Sequence, residues 1–324
     1  MDECLLKIKD LHTYYFTYAG VVKAVNGIDL SIPKGETCGI VGESGCGKSV
    51  TARSIMRLIR PPGKIVKGQI LFNGQNILKL KESRMRDIRG NSISMIFQEP
   101  MISLNPLFRI GDQIAETIRL HKTVSKREAR DRSIELLRKV GIPDPEKRIR
   151  DLPHQMSGGM QQRVMIAIAL SCDPKIIIAD EPTTALDVTI QAQILDIMNH
   201  LKEVTGTSIL MITHDLGVIA EMAQSVAVMY AGKIVEYSSF KEIFTKPKHP
   251  YTIGLMDSVP KINDPVPENR MLKTIGGIVP NLLNLPKGCA FQERCDKTFE
   301  ICREKAPPKF EVNDENYVRC WLYE

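Results

Sequence analysis

Apolar and polar residues alternate over 5–13 and again over 24–32, on either side of Ala19-Gly20. That period of two predicts an antiparallel strand pair. The short apolar run 37–41 predicts a strand that passes through glycines into a helix over 50–59, with Ile55, Leu58 and Ile59 on its apolar face. Residues 68–72 predict a strand closed by the turn dipeptide Asn73-Gly74, and the charged stretch 79–89 a solvated helix or loop. The apolar strand 93–97 stops at Pro100 and leaves the Gln98 amide at its tip. Over 110–140 the period turns helical and heavily charged, anchored by Leu136 and Leu137, until Gly141-Ile142-Pro143-Asp144-Pro145 breaks it. An inserted helical subdomain, about 100–165, is the expectation.

Ser157 stands where a cap is needed for a helix running through Ile166, Ala167 and Leu170. The continuous apolar run 175–179 fits a central parallel strand and delivers Asp180 and Glu181 at its carboxyl end. A helix over 190–201, a strand over 208–213 and then His214-Asp215 follow. Strands alternating with helices predict an α/β fold: a mostly parallel sheet with helices on both faces and active groups at its strand ends. Past Tyr230 the alternation fades, and Pro250, Pro260, Pro265, Pro267, Gly276, Gly277, Pro280 and Pro286 mark an extension. The expected organisation is one large domain over 1–245 and a small extension over 246–324.

Bulk properties narrow the function. A chain of 324 residues exceeds the usual size of a single core, which suits a large domain with an appendage. With 44 Lys and Arg against 38 Asp and Glu, the net charge of +6 is too mild and interspersed for a nucleic-acid binder. No apolar run approaches the roughly 20 residues that span a bilayer, and Met1-Asp2-Glu3-Cys4-Leu5-Leu6-Lys7 lacks the basic-then-apolar order of a signal peptide. A cytoplasmic location is expected. Four of the eight cysteines, Cys4, Cys38, Cys46 and Cys172, are scattered, whereas Cys289, Cys295, Cys302 and Cys320 crowd into the last 36 residues. In a reducing compartment such a cluster points to a metal or iron–sulfur site rather than to disulfides.

The chemistry gathers at Gly42-Glu43-Ser44-Gly45-Cys46-Gly47-Lys48-Ser49, a glycine-rich turn between strand and helix. Glycines let successive backbone N–H groups face an anion, Lys48 adds a point charge at the outer phosphates, and the Ser49 hydroxyl can ligate Mg²⁺. Upstream, Phe16 and Tyr18 offer aromatic faces for an adenine, or pack between strands.

A phosphate loop alone leaves kinases, GTPases and many ATPases open, and further motifs decide. Met156-Ser157-Gly158-Gly159-Met160-Gln161-Gln162-Arg163 resembles the signature of ATP-binding-cassette (ABC) proteins. It precedes Ile176-Ile177-Ile178-Ala179-Asp180-Glu181-Pro182-Thr183, Ala185-Leu186-Asp187 and His214-Asp215 in that family's order. The family's usual glutamine after Ser-Gly-Gly is Met160 here, a variant similar to that of oligopeptide and dipeptide importer subunits, with nickel importers close by. Gln98-Glu99-Pro100-Met101-Ile102-Ser103-Leu104-Asn105-Pro106, His249-Pro250-Tyr251-Thr252 and the cysteine tail resemble the same subgroup.

The resemblance implies a cassette fold with an antiparallel β subdomain, MgATP as the nucleotide, and roles for individual residues. Gly42, Ser44, Gly45, Cys46, Gly47, Lys48, Ser49 and Val50 surround the phosphates, with Tyr18 on the adenine. Ser49 and Gln98 hold Mg²⁺, Asp180 acts on it through water, Glu181 is the general base, and His214 holds base and attacking water in line. Taken alone, His214 reads better as a strand-end histidine satisfied by backbone. Two cassettes meet head to tail in the family, so Ser157, Gly158 and Gly159 face a partner's nucleotide and Asp187 lies near the partner's phosphate loop. The implied partners are two permease subunits, a second and non-identical ATPase subunit and, indirectly, an extracytoplasmic peptide-binding protein, with the chain peripheral on the cytoplasmic face of the membrane. The spacing Cys289-x5-Cys295-x6-Cys302-x17-Cys320 names no metal by itself; resemblance implies a [4Fe-4S] cluster, with zinc as the alternative. The cluster's expected role is structural. Competing functions are nickel import and, against the mild charge and the absence of heptads, a soluble cassette ATPase acting on nucleic acid or ribosomes.

Overall fold

A computed structural model describes residues 4–184, 186–258, 274–313 and 316–324. Pro260, Pro265, Pro267 and Ala185 lie outside the described residues, as do Met1, Asp2 and Glu3. The chain divides into two compact units. One comprises Met1–Leu6, Ile32–Thr37 and Leu71–Ile212, the other Lys7–Ser31, Cys38–Ile70 and Thr213–Glu324.

The predicted pair is present as Cys4–Thr17 and Gly20–Pro33, most of it in the second unit, neighbours in a sheet that continues through Gly63–Phe72. Burial along the first strand changes phase, from Leu6 and Ile8 to Leu11 and Thr13, where Asp10 adopts φ 46°. One extra residue turns every later side chain to the opposite face, so the shift keeps the apolar positions inward. The strand Thr37–Val41 is buried throughout and pairs in parallel with Ser225–Tyr230, from Cys38 with Ser225 to Val41 with Val228. Lys233–Ser239 then runs antiparallel to Ser225–Tyr230, and Tyr317–Val318 and Phe310–Glu311 add two further strands. The residues after Tyr230 thus form a hairpin that the fading alternation does not announce.

The helix after the glycine-rich loop is Lys48–Ile55, not 50–59. Gly47, at φ 111°, hands the chain straight into the first helical turn, which brings Lys48 and Ser49 inside the helix. At the other end Arg57 takes φ 51°, its N–H bonding Ser54 O at 3.1 Å and that of Leu58 bonding Arg53 O at 2.8 Å. This paired closure ends a helix on a left-handed residue, so Leu58 and Ile59 fall beyond it.

In the first unit, Ile93–Ile96, Ile176–Asp180 and Ser208–Ile212 lie parallel in that order, with Ile178 opposite Met95 on one side and Leu210 on the other. Both of the last two strands are buried at every position, as strands covered on both faces must be. Asn73 and Gly74, at φ 48° and 78°, form the two-residue turn that pairs Phe72 with Gln75. The charged helical stretch is two helices, Ile110–His121 and Lys126–Lys139, because Ser125 caps the second by accepting from Glu128 N at 3.1 Å. Gly158–Leu170 and Val188–Thr205 complete the helices around the sheet, the latter longer than the expected 190–201.

Candidate functional site

In the phosphate loop, geometry demands glycine at two positions. A Cβ on Gly42 would lie 2.1 Å from Met229 O, and one on Gly47 2.2 Å from Ala24 O. The backbone at both is at positive φ, 153° and 111°. Lys48 is 5% exposed and its ammonium donates to Gly42 O at 2.7 Å and Glu43 O at 3.1 Å, drawing the loop's carbonyls to one side. The helix that begins here has no side-chain cap and no acidic residue in its first turn, so its N–H groups and positive dipole end suit an anion. Ser44 and Gly45 are exposed, and Ser49 and Val50 half-buried. Cys46 is fully buried, and burial raises its thiol pKa, so it packs the loop rather than reacting. Phe16 is 49% exposed and Tyr18 fully so; neither packs between strands. His214 is exposed where the chain leaves the strand Ser208–Ile212, and Asp215 caps the following helix through Gly217 N at 2.7 Å.

The same unit holds contacts that motif reading missed. The Arg294 guanidinium grips the Glu43 carboxylate through two bonds of 2.7 and 2.9 Å, and the Glu43 amide donates to the Tyr251 hydroxyl at 2.9 Å. Phe291 packs against both Tyr230 and Tyr251, with centroids at 5.3 and 5.5 Å. His249 is buried, its Nδ1 accepting from Tyr251 N at 3.1 Å, and burial pushes its pKa down to about 3.

In the first unit, Asp180 ends the strand Ile176–Asp180 at 2% exposure. Glu181 N still bonds Ile212 O at 2.8 Å, but φ 49° turns the residue out of the strand path. A left-handed glutamate is uncommon and marks a site where the surrounding fold holds backbone strain. Gln98 Nε2 and Thr184 Oγ1 both donate to Glu181 Oε2, at 2.8 and 3.0 Å. Gln98 and Glu181 are thus brought together. Thr184 is an addition that no spacing announced. Ser157 caps its helix by accepting from Met160 N at 3.3 Å. A Cβ on Gly158 would meet nothing within 4 Å, whereas one on Gly159 would press on Ile190 at 2.8 Å. Asp187 accepts from Ile190 N at 2.9 Å, which gives it a capping role in its own chain. The motif's Ala185 lies outside the described residues.

Cys289, Cys295, Cys302 and Cys320 are free thiols lining one small cavity, with Phe291, Phe299 and Trp321 around them. Burial raises the thiol pKa of Cys295 and Cys320 and pushes that of Cys289 up to about 11, the other three sulfurs adding to the effect. Among the described residues no group of three or more His, Cys, Asp or Glu side chains is arranged to hold a single metal ion.

The ABC transporter family model matches residues 25–184, and the model for the C-terminal region of oligopeptide/dipeptide transporters matches 235–302. The chain is 52% identical over 319 residues to the oligopeptide transport ATP-binding protein OppD of Bacillus subtilis, spanning 98% of this chain and 88% of that protein. It is 53% identical over 322 residues to the dipeptide transport ATP-binding protein DppD of Lactococcus lactis, spanning 99% and 91%. A dimeric ATP-binding cassette solved in a post-hydrolysis state with ADP and Pi superposes with a TM-score of 0.66 at 28% identity, covering 72% of this chain and 98% of that one.

Proposed function

This chain belongs to the ATP-binding subunits of ABC-type oligopeptide and dipeptide transporters, and from that membership we propose how its own residues bind and hydrolyse MgATP to drive peptide import. The observation that carries the reading is the Glu181 carboxylate, held at a strand end by Gln98 and Thr184. A carboxylate so oriented takes a proton from water as that water attacks the γ-phosphorus and the bond to the β–γ bridging oxygen breaks. Lys48 and the loop N–H groups neutralise charge on the phosphates, and the exposed His214 ring holds the γ-phosphate and the water in line. Mg²⁺, when bound, spreads the charge developing on the phosphate oxygens; Ser49, Gln98 and Asp180 are its holders in this reading, Asp180 through water.

Two cassettes close on the nucleotide, and the signature helix contributes its N-terminus at Ser157. The open space at Gly158 and the absence of an acidic residue in that helix's first turn support this. Asp187 serves next to the partner's loop as well as capping its own helix, and Tyr18 offers its bare ring to the adenine. Two permease subunits carry the peptide in this reading; no helix among the described residues is long and apolar enough to cross a membrane. The assembly we propose is peripheral on the cytoplasmic face of the membrane, with a second, non-identical ATPase subunit, cassette residues over 1–245 and an extension over 246–324.

Cys289, Cys295, Cys302 and Cys320 hold a [4Fe-4S] cluster in this reading. Four thiols lining one aromatic-walled cavity support it, since all-thiolate ligation is what such a cluster takes. Metal binding removes the thiol protons that burial otherwise retains, and the site's role is to stiffen a segment with little core of its own.

Glu181→Gln tests the carrying observation. The variant keeps both donors' partner and loses the base, so ATP binding persists while hydrolysis by the assembled transporter drops by roughly 10²–10⁴. Undiminished turnover would remove Glu181 from the chemistry.

A further inference from the structure

We propose that Arg294 is a positioning residue for nucleotide binding: its fork on Glu43 fixes the phosphate loop, so the cysteine-bearing segment sets the shape of the cradle. The inference deepens the MgATP reading and rests on it.

Glu43 is the second residue of the loop, and it is held from several directions. Its carbonyl accepts from Lys48 Nζ at 3.1 Å and from Cys46 N at 3.3 Å, its amide donates to Tyr251, and its carboxylate takes both terminal nitrogens of Arg294. The first two bonds are internal to the loop; the last two come from outside and decide where the loop sits. Arg294 is itself immobilised. Its side chain is 4% exposed, Nε donates to Gly276 O at 2.8 Å, and Nη2 donates to Ile275 O at 3.3 Å. The guanidinium carbon stands 5.7 Å from the Tyr230 ring centroid and 5.8 Å from that of Phe291. A planar fork whose every nitrogen is bonded transmits position, which a flexible ammonium does not.

The other end of this bridge is the cysteine cavity. Arg294 immediately precedes Cys295, and Phe291 both lines that cavity and packs against Tyr230 and Tyr251. Displacing this segment therefore moves the fork and the Tyr251 hydroxyl together, and with them the carbonyls that orient Lys48. The Glu43 carboxylate is taken up by Arg294, so this pair acts on affinity more than on the chemical step.

The test compares the wild-type chain with Arg294→Met, Glu43→Gln and the double variant. Binding of a fluorescent ATP analogue with Mg²⁺ is measured on the full chain, and KM and kcat on the transporter assembled with its permeases. Each single variant is expected to weaken nucleotide affinity and raise KM by roughly tenfold, with kcat at saturating ATP within about twofold, and the double variant to be no worse than either single. Folded single variants with wild-type affinity, or a double variant whose loss is the product of the two, would overturn the proposal. Should Arg294→Met fail to fold, Glu43→Gln, which keeps length and shape, decides alone: wild-type affinity in it overturns the fork's role. Absence of analogue binding in the wild-type chain would instead overturn the MgATP reading, and this inference with it.

Discussion

Lys48 shows what a single residue does in this loop. Its ammonium spans the turn to two carbonyls, so it shapes the cradle as well as supplying charge. Lys48→Ala removes both functions, and MgATP affinity measured by titration is expected to fall by at least tenfold, since a buried charge-assisted bond contributes about 1.5–3 kcal/mol; unchanged affinity would count against the cradle. Residues of this kind are legible in a sequence because phosphate chemistry requires a given residue type at a given spacing. Gly42 and Lys48 are read that way, and Gln98, Asp180 and Glu181 from strand ends together with the family resemblance. Thr184 and Arg294 are not. Thr184 bonds a glutamate whose left-handed backbone no spacing predicts, and Arg294 meets Glu43 across 251 positions of chain, a separation no local pattern encodes.

Elements were read well where a period ran undisturbed and less well at their ends. The buried strands Thr37–Val41 and Ile176–Asp180 match their apolar runs closely, and the Asn73-Gly74 turn follows from its two positive φ angles. Helix ends depend on single backbone choices instead. Ser125 followed three residues later by Glu128 is a start signal lying inside a stretch of helical period, and it divides that stretch in two. Arg57 stops its helix in a conformation that glycine adopts at no steric cost. Ser125→Ala removes the cap of the second helix and is therefore expected to lower stability by about 1 kcal/mol in denaturant unfolding. Unchanged stability would show that packing alone holds that helix start.

Across the whole molecule, composition changes near residue 246 while packing does not. Tyr317–Val318 lies on Lys233–Ser239, with Val318 opposite Glu236 and Tyr317 opposite Tyr237. Strand pairing requires only backbone, so a Pro- and Gly-rich tail carries no periodic sign of it. The same region gives global stability an acid limb. The unfolded His249 ring takes a proton near 6.5 and the folded, buried ring only near about 3, so between those values the unfolded chain holds more protons and stability falls as pH drops. His249→Asn keeps an acceptor for Tyr251 N and cannot titrate, so unfolding followed from pH 7 to pH 4 should show a shallower decline than in the wild type; an equal slope would assign the limb elsewhere. Glu236, whose amide partners are Lys248 and His249 and whose pKa burial raises, contributes with opposite sign. The Arg294–Glu43 fork carries a consequence for protein engineering. Grafting this cassette onto a tail without such an arginine, or this tail onto a cassette without the matching glutamate, severs a contact whose two halves belong to different segments, so the portable module is the loop together with the arginine that seats it.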